Sequence, residues 1–174
     1  MNLILIGYRG TGKSTIGRLL SERLEMPYVC FDEEIVRRAG LSIPEIVAAH
    51  SWEYFRDLES EVLEDYVSRS GQVLDTGGGV VTRPRNVEAL RRAGLVFLLR
   101  AEVAEIVTRI GSTQDRPSLT GTKSFTEEVE EVLAVRRPLY EAAAEFVVDT
   151  SKLGPEDAAE KIAGLYLARV MPNS

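Results

Sequence analysis

Eight consecutive residues lay out a phosphate site. Gly7-Tyr8-Arg9-Gly10-Thr11-Gly12-Lys13-Ser14 fits the spacing G-x-x-x-x-G-K-[ST] of a P-loop. Glycines at 7, 10 and 12 permit backbone conformations closed to a residue with a Cβ, so the main chain can approach a ligand. N–H groups in such a turn point inward, and a helix opening near Lys13 adds the positive end of its dipole. Lys13 places a mobile cation on the terminal phosphates. The Ser14 hydroxyl suits Mg2+, a hard cation. Gly10, Thr11, Gly12, Lys13, Ser14 and Thr15 are the expected contacts of a nucleoside triphosphate.

Further reactive side chains are spread along the chain, each open to two readings. Asp32 follows an apolar run and is either a helix N-cap or a site carboxylate, while Glu33 and Glu34 are first-turn residues favoured by the helix dipole. Arg56 and Glu59 are three apart on one helix face, either a solvated pair or a Glu holding an Arg for two-pronged carboxylate binding. Thr76-Gly77-Gly78-Gly79 lets backbone approach a small ligand. Asp75 stands just before it, where a P-loop protein often carries a second metal-site acid. Residues 111–124 are polar and aperiodic between Gly111 and Gly121, and they carry Arg116. They are either a surface loop or a lid that closes Arg116 onto phosphate. Arg136-Arg137 before Pro138 is a solvated charge pair or an anion clamp, and the proline is expected to kink or break its helix. The lone His50 and the aromatic pair Trp52 and Phe55 receive no chemical role; the aromatics are expected in the core or a pocket wall.

The elements that must position these residues alternate. Apolar β-type runs at 2–6, 28–32, 72–76, 95–99 and 146–149 are separated by segments with helical spacing, such as Ile16, Leu19, Leu20 and Leu24. The runs are continuously apolar, as in strands buried on both faces. The pattern predicts a parallel sheet with helices on both sides and ligands at the carboxyl ends of the strands. Ser42-Ile43-Pro44-Glu45 reads as a capping box, Ser124 as a cap for the helix beginning at 125, and Ala158, Ile162 and Leu165 as the inner face of a closing helix.

Composition narrows the class. The chain has 174 residues, 44% hydrophobic and 28% charged, the profile of one globular domain. A net charge of −6 disfavours nucleic acid as a partner, so a phosphate site must be built locally. One cysteine precludes an internal disulfide and fits a reducing compartment. The apolar start of about five residues is too short for a signal peptide or a membrane span. A cytoplasmic monomer without a membrane partner is the expectation.

Along residues 2 to 165 the combination resembles the shikimate kinase family, P-loop kinases akin to the nucleoside monophosphate kinases. The resemblance rests on the P-loop, Asp32, Phe55-Arg56 with Glu59, Thr76-Gly77-Gly78-Gly79, Arg116-Pro117, Arg136-x-Pro138-Leu139-Tyr140 and Pro155. It implies a three-layer α/β/α fold with a five-stranded parallel sheet of order 2-3-1-4-5. The whole of 1–174 would be one kinase domain, with a lid at about 111–124 and a substrate-binding helical region at about 33–60. It implies ATP-dependent phosphorylation of shikimate, with Mg2+. Asp32 would bind shikimate hydroxyls and accept a proton. Arg56 and Arg136 would grip the carboxylate and Glu59 orient the site. Gly77, Gly78 and Gly79 would line the substrate. Arg116 would reach both substrates, and Arg109 and Pro155 would flank adenine. Catalysis would fall to Asp32, Lys13 and Arg116.

One position departs from the pattern. Cys30-Phe31-Asp32 stands where the family has Asp-x-Asp, so Cys30 replaces the acid that positions Mg2+. A thiol is a poor ligand for a hard cation. Asp75 on the neighbouring strand is the candidate substitute; otherwise it caps its strand and Mg2+ binds more weakly. A gluconate kinase, or a nucleotide-binding sensor that has lost catalysis, are the rival readings.

Overall fold

A computed structural model describes residues 1–111 and 125–171. Five parallel strands form one sheet: β1 (Asn2–Ile6), β2 (Tyr28–Cys30), β3 (Val73–Asp75), β4 (Gly94–Arg100) and β5 (Phe146–Asp149), in the order β2-β3-β1-β4-β5. This is the order the resemblance implied. The described helices are α1 (Lys13–Leu24), α2 (Phe31–Ala39), α3 (Ile43–Ala49), α4 (Trp52–Val67), α5 (Pro84–Ala93), α6 (Val103–Ile110), α7 (Phe125–Ala143) and α8 (Pro155–Val170).

Continuous apolar strands are explained by two separate cores. Along β1, Leu3 and Leu5 face the core formed with α1 and α8, including Ile16, Leu20, Ile162 and Tyr166. Ile4 and Ile6 face the opposite core, with Phe31, Phe55, Leu90 and Leu133. Successive strand side chains point to opposite faces, so a strand covered on both sides reads as a nearly continuous apolar run. Ala158 and Ile162 are buried on α8 as expected, while Leu165 is half-buried.

Three local expectations differ in detail. β2 ends at Cys30, and Asp32 is the second residue of α2 and not its N-cap. Asp32, Glu33 and Glu34 together fill the first turn, where three acids favour the helix over two more strand residues. β3 stops at Asp75, one residue short of the apolar run, where Thr76 donates both its N–H and its hydroxyl to the Leu5 carbonyl and Gly77 follows. Finally, α7 runs unbroken through Pro138. Val129 and Leu133 before it, and Tyr140 and Ala143 after it, are buried and hold both halves in place. Ala134 and Pro138 are exposed, so water can satisfy the carbonyl that the proline leaves without a donor. The Ser42 capping box forms as read, with the Ser42 N–H donating to Glu45 at 2.7 Å. The Ser124 cap lies outside the described residues.

Candidate active site

The glycine loop leaves the end of β1 and enters α1 with Gly7, Gly10 and Gly12 all at positive φ (141°, 78° and 95°). Gly10 also has no room for a larger residue, since an added Cβ would lie 2.8 Å from Ile110. Lys13 is 8% exposed and folds back, donating to the carbonyls of Gly7 (2.9 Å) and Tyr8 (3.1 Å). A phosphate would draw this ammonium off the two carbonyls. The loop opens on a cleft of about 570 Å³ whose walls include Ser14, Thr15, Asp32, Asp75, Gly78 and Arg109.

Arg109 reaches the cleft from α6. It donates to the Gly10 carbonyl (3.3 Å) and to Thr150 at both its hydroxyl (3.1 Å) and its carbonyl (2.8 Å). The Thr150 hydroxyl in turn donates to the Thr11 carbonyl at 2.9 Å. The end of β5 is thus stitched to the glycine loop. Pro155 opens α8, exposed and outside the cleft's lining.

A second, smaller pocket adjoins the cleft across Gly78, lined by Tyr8, Arg9, Trp52, Arg56, Gly79 and Arg136. The Arg56–Glu59 pair is no solvated couple: the two meet at 2.8 Å with Glu59 fully buried. Burial pushes the Glu59 carboxyl up, against the charge of Arg56 and, more weakly, that of Arg136. Arg136 donates to the Gly78 carbonyl at 3.1 Å, which also accepts from the Tyr140 hydroxyl. A Cβ at Gly77 would strike Glu59 and come within 3.3 Å of Asp32; one at Gly79 would strike Arg56. Gly77 and Gly79 therefore make room for the acids and the guanidinium as much as for a ligand. Two arginines above a buried carboxylate form a site for a small organic anion.

Asp75, 3% exposed, accepts from Ser14 Oγ and from Tyr28 Oη, both at 2.7 Å on the same oxygen. Burial pushes its carboxyl up, opposed by the Lys13 charge and the two hydroxyl donors. Cys30 faces Asp75 in the register of β2 and β3. Burial, then the Asp75 charge, raise its thiol to about 11, so it stays protonated. Ser14 and Asp75 fit a hard cation and Cys30 does not. Among the described residues, no three His, Cys, Asp or Glu side chains gather as a metal cluster. A cation here would draw most of its ligands from a nucleotide's phosphates and water.

Arg116 and the rest of the loop, from 112 to 124, lie outside the described residues. Sequence reasoning gave no role to Arg9, Tyr28, Tyr140 or Thr150. Arg9 lines both pockets, 3.5 Å from buried Glu128 and 5.3 Å from the centre of the Phe125 ring. Its place inside the glycine motif was the available signal. Nothing local marks Tyr28 or Thr150. His50 lies against Tyr54, the rings tilted by 33° with centres 4.3 Å apart, and lines neither pocket. Among the described residues, no helix is long and apolar enough to cross a membrane.

The family model described as shikimate kinase matches residues 9–166. A shikimate kinase of Thermodesulfovibrio yellowstonii is 40% identical over 165 residues, covering 95% of this chain and 94% of that one. The solved shikimate kinase of Acinetobacter baumannii in complex with shikimate superposes with a TM-score of 0.92 at 34% identity, over 98% of this chain and 94% of that one. A gluconokinase from Sinorhizobium meliloti superposes with a TM-score of 0.54 at 14% identity, over 99% of this chain and 98% of that one, and shares the fold alone. With the family model matching residues 9–166 and a relative 40% identical along 95% of its length, the chain belongs to the shikimate kinase family.

Proposed function

We propose that this chain transfers the γ-phosphoryl group of ATP to the 3-hydroxyl of shikimate, giving shikimate 3-phosphate and ADP. The observation that carries the reading is the small pocket holding Arg56 and Arg136, which shares Gly78 with the phosphate cleft. A carboxylate gripped by the two guanidiniums would present its ring hydroxyls toward Asp32 in that cleft.

Phosphoryl transfer asks for placement and charge neutralisation more than for covalent chemistry. The acceptor oxygen forms a bond to the γ-phosphorus as the bond to the β-phosphate oxygen breaks. Asp32 orients the hydroxyl and takes its proton. Lys13 and the loop amides stabilise charge on the transferring group, and Arg116 joins them from the lid at about 111–124. Glu59 holds Arg56, and the backbone of Gly77, Gly78 and Gly79 lines the acceptor. Gly10, Gly12, Thr11 and Thr15 cradle the phosphates, with Arg109 and Pro155 beside adenine. Residues 33–60 serve as the substrate-binding helices of a single domain, 1–174. Ser14 would hold Mg2+, with Asp75 as its carboxylate in place of Cys30, and the ion would supply neutralisation of phosphate charge. The enzyme acts as a cytoplasmic monomer, and its negative net charge supports the absence of a nucleic-acid partner.

The test is ADP release with ATP, Mg2+ and shikimate, beside gluconate and acceptor-free controls. Shikimate-dependent turnover is expected. Turnover with gluconate instead would assign another acceptor, and ATP binding with no turnover would favour the sensor reading that Cys30 motivates.

A further inference from the structure

The Tyr28 hydroxyl takes no part in the proposed reaction, yet it bonds to Asp75 in the wall of the phosphate cleft. Tyr28 opens β2, and its hydroxyl donates to Asp75 Oδ2, the same oxygen that accepts from Ser14. Its ring passes through a notch in α1. A Cβ at Gly17 would lie 2.6 Å from the ring's Cε2 and 3.2 Å from its Cδ2. Gly17 sits inside the helix, where alanine would be the better helix former. The next residue, Arg18, lays its guanidinium over the ring, 4.7 Å from its centre, and is held by Glu33 at 2.8 Å. Two successive residues of α1 therefore make space for the ring and cover it.

We propose that Tyr28 is a positioning residue for the metal that accompanies the nucleotide, acting through Asp75 on Ser14. The inference rests on the reading of Ser14 and Asp75 as the metal-holding pair. A serine hydroxyl can give a lone pair to a cation only if its proton points elsewhere. Asp75 Oδ2 takes that proton and so sets the direction of the lone pair. A carboxylate with one hydroxyl donor keeps freedom to rotate. A second donor on the same oxygen, coming from the neighbouring strand, removes that freedom. Cys30 faces Asp75 more directly, but a thiol is too weak a donor for the task. Gly17 belongs to the same device, because it admits the ring.

The wild-type protein, Tyr28→Phe, Gly17→Ala and Asp75→Asn are titrated with ADP by calorimetry, in EDTA and in saturating Mg2+. Mg2+ is expected to raise ADP affinity in the wild type. Tyr28→Phe and Gly17→Ala should each lose about tenfold of that rise, the low end for outer-shell partners of a metal. Their affinity in EDTA should stay at the wild-type level. Tyr28→Phe added to Asp75→Asn should change nothing further, as expected of residues acting in series. If Tyr28→Phe keeps the full Mg2+-dependent rise while Asp75→Asn loses it, Tyr28 has no such role and the metal pair stands. A loss equal in EDTA and in Mg2+ would mean general loosening of the loop, and also overturns the proposal. A wild type without any rise overturns both the proposal and the metal pair, and one that binds no ADP overturns the kinase reading itself.

Discussion

Gly79 lies so close to the Arg56 guanidinium that a Cβ on the glycine would overlap it. The arginine is held from its other side by the buried Glu59 carboxylate. Its position is therefore fixed between a backbone and an acid, and the glycine is part of the anion site without offering a side chain. Gly79→Ala is expected to push the guanidinium aside. The KM for shikimate should rise about tenfold or more, the worth of one charged hydrogen bond, with the KM for ATP little changed. Steady-state kinetics with each substrate varied would check this. An equal rise in both KM values would place Arg56 outside the acceptor site.

Asp32 and Arg136 should separate cleanly. Asp32 lines the phosphate cleft and Arg136 the smaller pocket. Asp32→Ala should lower kcat by about 10²–10⁴-fold, the usual contribution of a positioned acid or base. Arg136→Ala should chiefly raise the KM for shikimate. Similar small losses in both variants would contradict the assignment of the two pockets.

Thr150 joins three elements through one hydroxyl, which donates to the Thr11 carbonyl and accepts from Arg109. Thr150→Val preserves shape but removes the donor to the buried Thr11 carbonyl, while Arg109 keeps its bonds to the Gly10 and Thr150 carbonyls. A loss of about 1–3 kcal/mol per unsatisfied group is expected. It should appear as a higher KM for ATP and a lower melting temperature, with the KM for shikimate unchanged.

Acid should remove the contribution of Glu34. Hydrogen bonds from Arg37, and from Arg38 beside it, hold its carboxyl down from 4.5 to about 2. A depressed folded value means that stability is fully present above the unfolded value and fades as pH falls through the interval between the two. The urea midpoints of the wild type and Glu34→Gln should differ most above about pH 4.5 and converge toward pH 2. Added salt should shrink the gap, because Arg37 is exposed. A gap that widens in acid would refute the cause.

What the sequence made legible was what short spacing encodes. The glycine loop, the Ser42 capping box and the Arg56–Glu59 face each depend on residues fewer than eight apart, and each appears in the structure. The alternation of apolar runs carried the sheet, since burial on both faces leaves a continuous mark. Contacts across distant segments left no such mark. Tyr28 meets Asp75 across 47 positions, and Thr150 meets Thr11 across 139. Neither residue type is unusual where it stands. Pro138 shows the opposite failure, a strong local signal overridden by packing on both sides of it. Asp32 lines the cleft from the first turn of α2, although the apolar run suggested a strand two residues longer.

The two-faced burial of β1 bears on how the site survives thermal fluctuation. Its backbone hydrogen bonds lie between β3 and β4, and its side chains are sealed in both cores. Amide hydrogens of Leu3 to Ile6 are therefore expected to exchange chiefly through large-scale opening of the sheet. The glycine loop is thus moored to backbone expected to be among the slowest to exchange in the described residues. The acceptor side hangs instead from the three-residue strands β2 and β3 and from α4. Partial unfolding will release the acceptor's grip before it disturbs the phosphate cradle.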